Sequence, residues 1–125
     1  MESLCPNIFV KDINATIAFY NILGFDLAMS VPEEGPDLIW AMMVKGNVTF
    51  MFQTFDSLDN ELPEISRTNG ASLLLYIKLK NIRAFFEDIK GKVTVLKGLE
   101  TTFYGATEFS VLDINNYVLT FAEDE

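Results

Sequence analysis

The sequence predicts an α+β fold built from two βαβββ modules, the first over about 1–55 and the second over about 70–125, within one domain spanning 1–125. Three observations predict it. A helical stripe occurs twice, at Ile13, Thr16, Ile17 and Tyr20 and again at Ile82, Phe85, Phe86 and Ile89, and an i, i+3, i+4, i+7 stripe has to be buried against another surface. Each stripe follows a short β-rich run and an Asp or Asn suited to capping a helix, and each ends at a glycine, Gly24 or Gly91. Aligning Asp12 with Asn81 superimposes the stripes residue on residue, so an internal duplication is the economical reading.

Taken in order, Ile8-Phe9-Val10 is β-branched and aromatic and too short for a helix. Asp12 can accept from the free N–H groups of the turn that follows it, and Gly24 ends that helix because glycine takes left-handed dihedrals without steric cost. Phe25 to Val31 reads as a strand, Pro32-Glu33-Glu34-Gly35-Pro36 as a loop, and Leu38 to Lys45 as a second strand. Gly46-Asn47 supplies a two-residue hairpin turn into Val48 to Gln53. Thr54 to Asn69, rich in Asp, Ser and Asn and containing Pro63, is a connector with room for one helical turn. The order then recurs. Ala71 to Leu79 is an apolar strand, Asn81 the cap, and Val93 to Lys97, Ala106 to Leu112 and Tyr117 to Ala122 are strands, the last two joined by an Asn115-Asn116 turn.

Composition narrows the chemistry. Half of the residues are hydrophobic and eleven are Phe, which is the make-up of a packed core and not of a disordered chain. Histidine is absent, which removes Ser-His-Asp and Cys-His nucleophilic schemes and the commonest metal ligand. The one cysteine, Cys5, forbids an internal disulfide, and with no histidine to activate it an inert thiol is the favoured reading over a nucleophile. A net charge of −9 repels phosphate backbones, so nucleic acid is excluded as a partner and cationic small molecules are favoured. Glu33, Glu34 and Asp37 lack the glycine and ligand spacing of a calcium loop and read as a solvated loop. Met1 to Leu4 form no signal-like run, and nothing approaches the roughly 20 apolar residues of a membrane helix. A soluble cytoplasmic protein that does not engage a membrane is expected.

Two motifs carry a family resemblance. Pro6 through Val10-Lys11-Asp12, with Phe19-Tyr20 and Leu23-Gly24-Phe25, resembles the opening signature of the glyoxalase, bleomycin-resistance and extradiol-dioxygenase superfamily, the vicinal-oxygen-chelate proteins. Tyr104-Gly105 followed by Phe109-Ser110-Val111-Leu112-Asp113-Ile114-Asn115-Asn116-Tyr117 resembles its closing signature. The resemblance implies that the two modules curl into a cup-shaped mixed sheet with the helices outside, and that two chains pair as a homodimer. It also implies, for the family's enzymes, a divalent metal held by His, Glu or Gln on the first, fourth, fifth and eighth strands. Those positions fall here at Cys5, Phe50, Leu74 and Thr120, a set ill-suited to a hard cation.

The implied cup is therefore expected to be metal-free and without a cofactor. Strand alternation suggests its lining. With Ile8 and Val10 beneath the helices, Cys5, Asn7 and Phe9 face the cup, as do Phe50 and Phe52 on the fourth strand, Ser72, Leu74 and Tyr76 on the fifth, and Val118, Thr120 and Ala122 on the last. Trp40, Tyr104 and Glu108 are candidates for its rim. From these, the expected ligand-binding residues are Asn7, Phe9, Trp40, Phe50, Phe52, Leu74, Tyr76, Tyr104, Glu108 and Thr120, with no catalytic residue assigned. The expected function is binding of an aromatic or cationic organic molecule, in the manner of bleomycin-resistance proteins. A glyoxalase-type lyase, isomerase or dioxygenase is the alternative, and a structural or regulatory module without a small ligand a third reading.

Overall fold

The computed structural model describes residues 1–125 and divides them into two compact units, Met1–Asn69 and Gly70–Glu125. In the first, β1 (Asn7–Val10) leads to α1 (Ile13–Ile22), β2 (Asp26–Val31), β3 (Trp40–Lys45) and β4 (Val48–Thr54), then the single turn α2 (Phe55–Leu58). In the second, β5 (Leu74–Lys78) leads to α3 (Ile82–Ile89), β6 (Thr94–Thr101), β7 (Ala106–Leu112) and β8 (Val118–Asp124). The sheets run β1-β4-β3-β2 and β5-β8-β7-β6. In each, the first strand pairs parallel to the last and the remaining pairs are antiparallel. Both units are thus βαβββ modules of one topology, as the paired stripes predict.

Each helix covers one face of its own sheet. Asp12 caps α1 by accepting from Ala15 N at 3.1 Å, and the helix buries Ile13, Thr16 and Tyr20. Tyr20 lies against Phe25, Phe50 and Phe52, with ring centroids 5.6, 5.5 and 4.8 Å away. In the second unit Phe86 meets Phe109 edge-on at 4.9 Å and Phe85 meets Phe121 at 5.0 Å. The stripes therefore do the work their spacing implies, burying rings that are worth most when packed against other rings.

Three local features depart from expectation. The Asn81 side chain does not cap α3: the residue sits at φ 61, in the left-handed region, and makes no side-chain hydrogen bond to the helix start. Glu123 of β8 replaces it, accepting from the N–H groups of Asn81 and Ile82, both at 3.0 Å. β6 continues to Thr101, since two register irregularities, between Val95 and Lys97 and between Lys97 and Glu100, carry pairing past Gly98. β5 starts at Leu74 and not at Ala71. Just before it, Gly70 takes φ +88, and a Cβ there would lie 2.8 Å from the Asn116 carbonyl oxygen, so the close approach to the β7–β8 turn requires glycine.

The connector is ordered by one side chain. The Arg67 guanidinium donates to the carbonyls of Leu62 at 2.8 Å, Ile65 at 2.7 Å and Glu61 at 2.5 Å, gathering the loop around itself. No helix is long and apolar enough to cross a membrane.

Candidate functional site

In the second unit, strand register decides which side chains share the face away from α3. Phe109 and Phe121 pack under the helix, so their neighbours Glu108, Ser110 and Thr120 point the other way. Across the sheet Lys97 pairs with Ser110, Ser110 with Thr120 and Thr120 with Tyr76, while Glu100 pairs with Glu108 one row along. Tyr104 comes from the β6–β7 turn, closed by Gly105 N donating to Thr102 O at 3.2 Å. Together with Leu74 these residues line a cavity of about 250 Å³.

Glu108 is the chemical centre of that cavity. It is only 8% exposed, and its Oε2 accepts from the Tyr76 hydroxyl and, at 2.5 Å, from the Tyr104 hydroxyl. Donation to the carboxylate raises both tyrosines above their ordinary value, helped by burial and by the carboxylate's charge. Both phenols consequently remain protonated donors at neutral pH. Lys97 is held by Glu100 at 2.7 Å, and that bond raises its own pKa. Ser110 and Thr120 share a hydrogen bond at 2.8 Å on the cavity wall. The arrangement presents a buried negative charge between two phenols, with the neighbouring ammonium already engaged elsewhere.

In the first unit the face away from α1 is different in kind. Register places Met29, Met42, Met51 and Asn7 in one cross-strand row and Val31, Trp40, Gln53 and Phe9 in the next. Asn7 donates to Gln53 Oε1 at 2.9 Å, and Gln53 donates to Ser57 at 2.9 Å, leaving a short amide chain in an otherwise apolar, sulfur-rich surface. Thioether and aromatic side chains of this sort adapt readily to flat apolar groups.

The expected lining residues therefore divide. Leu74, Tyr76, Tyr104, Glu108 and Thr120 meet at the cavity of the second unit, and Asn7, Phe9 and Trp40 share the open face of the first. Phe50 and Phe52 do not face it. They are 3% and 0% exposed beneath α1, because Phe52 stands beside Ile8 and Ala41, the helix-side residues of the adjoining strands. Met51 and Gln53 occupy the face assigned to them. Lys97, Glu100 and Ser110 were also not singled out, although alternation from Phe109 marks Ser110.

The four positions implied as metal ligands do not suit one. Phe50 and Leu74 carry no donor atom, Cys5 lies near the backbone oxygen of Thr49, and no three His, Cys, Asp or Glu side chains converge anywhere as a ligand set.

Two modules of one topology, each with a helix on one sheet face and polar or apolar side chains gathered on the other, define a class of paired βαβββ proteins. The chain belongs to the glyoxalase/bleomycin resistance protein/dioxygenase superfamily, whose family model matches residues 4–121. No curated protein matches it in sequence. Among solved structures it is similar to a bleomycin-binding protein complexed with bleomycin, at 20% identity and TM-score 0.68 with 100% of both chains covered. It is similar also to a bleomycin resistance determinant encoded on the transposon Tn5, at 21% identity and TM-score 0.69, covering 100% of this chain and 99% of that one. A glyoxalase/bleomycin resistance protein/dioxygenase family enzyme from Burkholderia phytofirmans PsJN matches at 23% identity and TM-score 0.77, with 97% of each chain covered. At these identities the likenesses show the fold.

Proposed function

We propose that the chain is a metal-free, cytoplasmic small-molecule-binding protein resembling bleomycin-resistance proteins, and that its ligand is an aromatic or cationic organic molecule. The observation that carries this reading is Glu108, a buried carboxylate flanked by Tyr76 and Tyr104 in a cavity whose lysine is neutralised by Glu100. A carboxylate largely covered by its neighbours attracts an organic cation more strongly than the same carboxylate would in open solvent. The net charge of −9 adds attraction at long range, which speeds encounter and fades as salt is raised. The absence of a converging donor set supports the metal-free part. A family member whose solved structure holds bleomycin makes a drug-like ligand reasonable for the fold.

Calorimetric titration of matched cationic and anionic aromatic dyes across a salt series tests the reading. The cation should bind more tightly, with the preference persisting at high salt and vanishing in Glu108→Gln. Equal affinities, or a preference for the anion, would refute it.

We infer further that two chains pair as a homodimer. β2 is an edge strand with Leu27, Met29 and Val31 at 44%, 57% and 47% exposure, an apolar edge that a soluble chain ordinarily covers. Sedimentation at micromolar concentration should show a dimer, and a monomer would contradict the pairing.

A further inference from the structure

We propose that the Glu108 cavity selects organic cations whose charged nitrogen keeps at least one N–H, the protonated amines, over quaternary ammonium ions of the same shape. This rests on the cation-binding reading above and narrows its ligand class. The argument starts from the two oxygens of one carboxylate. Oε2 receives both tyrosyl hydroxyls, whereas Oε1 accepts no hydrogen bond from the chain. An ionised carboxylate offers about four lone-pair sites, so half of this group's accepting capacity is uncommitted. Glu108 is 8% exposed overall, Oε1 faces the open side of the cavity, and a charge-assisted N–H donor entering there is the partner that satisfies it best.

The tyrosines argue in the same direction. A quaternary ammonium is recognised by ring faces turned towards it. Here each ring is held end-on to the carboxylate by its own hydroxyl, so what surrounds Oε2 is a pair of O–H groups and not a cage of ring faces. The internal cation is directed to another partner, since Lys97 bonds Glu100 at 2.7 Å and acts on Glu108 only through its charge and not through a hydrogen bond. Ser110 and Thr120, joined at 2.8 Å on the same wall, still have accepting capacity and offer a place for a second N–H. A protonated tertiary amine keeps one N–H to donate to Oε1, and a quaternary ammonium has none.

The test compares benzyldimethylamine, protonated at pH 7, with benzyltrimethylammonium, which differs from it only by a methyl in place of the N–H. Phenylacetate serves as the anionic control, and all three are titrated calorimetrically into the full chain. The protonated amine should bind roughly tenfold to a hundredfold more tightly than the quaternary ion, the range a hydrogen bond to a charged group gives. Tyr76→Phe, which removes a donor from Oε2 and leaves the carboxylate in place, should keep or widen the difference. Glu108→Gln, checked for an unchanged melting transition, should erase it. Equal or tighter binding of the quaternary ion overturns this inference, and if both cations still exceed phenylacetate the broader cation reading survives. Loss of that second preference, or no binding of either cation at millimolar concentration, overturns both.

Discussion

Replacing Phe52 by Ala tests the assignment of sheet faces in the first unit. The side chain is 0% exposed, with its ring 4.8 Å from Tyr20 and 6.0 Å from Phe50. Removing a fully buried ring forfeits its transfer free energy and leaves a cavity, together costing about 3–5 kcal/mol. Rings as close as Tyr20 and Phe50 place the site toward the upper part of that range. A small domain has only about 5–15 kcal/mol in total, so the variant should be near the edge of folding. With a urea slope of about 2 kcal/mol/M, the midpoint should fall by roughly 2 M, read by circular dichroism with the slope unchanged. Met51→Ala, one residue along and on the opposite face, should cost far less, about 1 kcal/mol. Were Phe52→Ala to unfold within about 1 kcal/mol of the parent while losing ligand, Phe52 would line a binding surface and the burial argument would be wrong.

Two further outcomes follow from the second unit. The Ile82 and Asn81 N–H groups hold the Glu123 carboxyl below its ordinary value, so its contribution to stability is present above the usual carboxyl range and is lost as pH falls through the lowered folded value. Glu123→Gln should therefore unfold more easily than the parent at pH 7, with the gap closing toward pH 3 in paired urea titrations; an equal gap at both would remove the capping role. Because donation to Glu108 raises Tyr76 and Tyr104, an alkaline absorbance titration should show tyrosines ionising above the ordinary value of about 10, and Glu108→Gln should move that component down. An unchanged curve would mean that the two phenols do not donate to the carboxylate in solution.

The order of elements was readable because it rests on local signals. The two helices bury the stripes at Ile13 and Ile82, Asp12 caps as its position suggests, and the Gly46-Asn47 turn joins β3 to β4. What failed was parity on β4. Counting along a strand from a distant signature leaves an error of one residue, and one residue turns every side chain to the other face. The strand's own make-up held the better signal, since Thr49, Met51 and Gln53 alternate with Phe50 and Phe52 as Thr120 alternates with Leu119 and Phe121. Contacts between remote residues were hidden for a different reason. Glu123 reaches Asn81 across 42 positions and Tyr76 reaches Glu108 across 32, and no local propensity encodes a partner so far away.

The two modules of one topology show where this fold is constrained and where it is free. On the helix side both units are alike, with Phe50 and Phe52 under α1 and Phe109, Leu119 and Phe121 on the α3 side, because a helix can dock only on a continuous apolar surface. On the other side they differ in kind. The first unit presents Met42, Met51, Trp40 and Phe9, and the second presents Tyr76, Glu108, Ser110 and Thr120 at the same level of the pleat. Nothing in the packing of either helix depends on those residues, so they can change without disturbing the fold. That independence explains why the family could be recognised from the ends of the chain, whereas the ligand has to be argued from Glu108 and its two phenols.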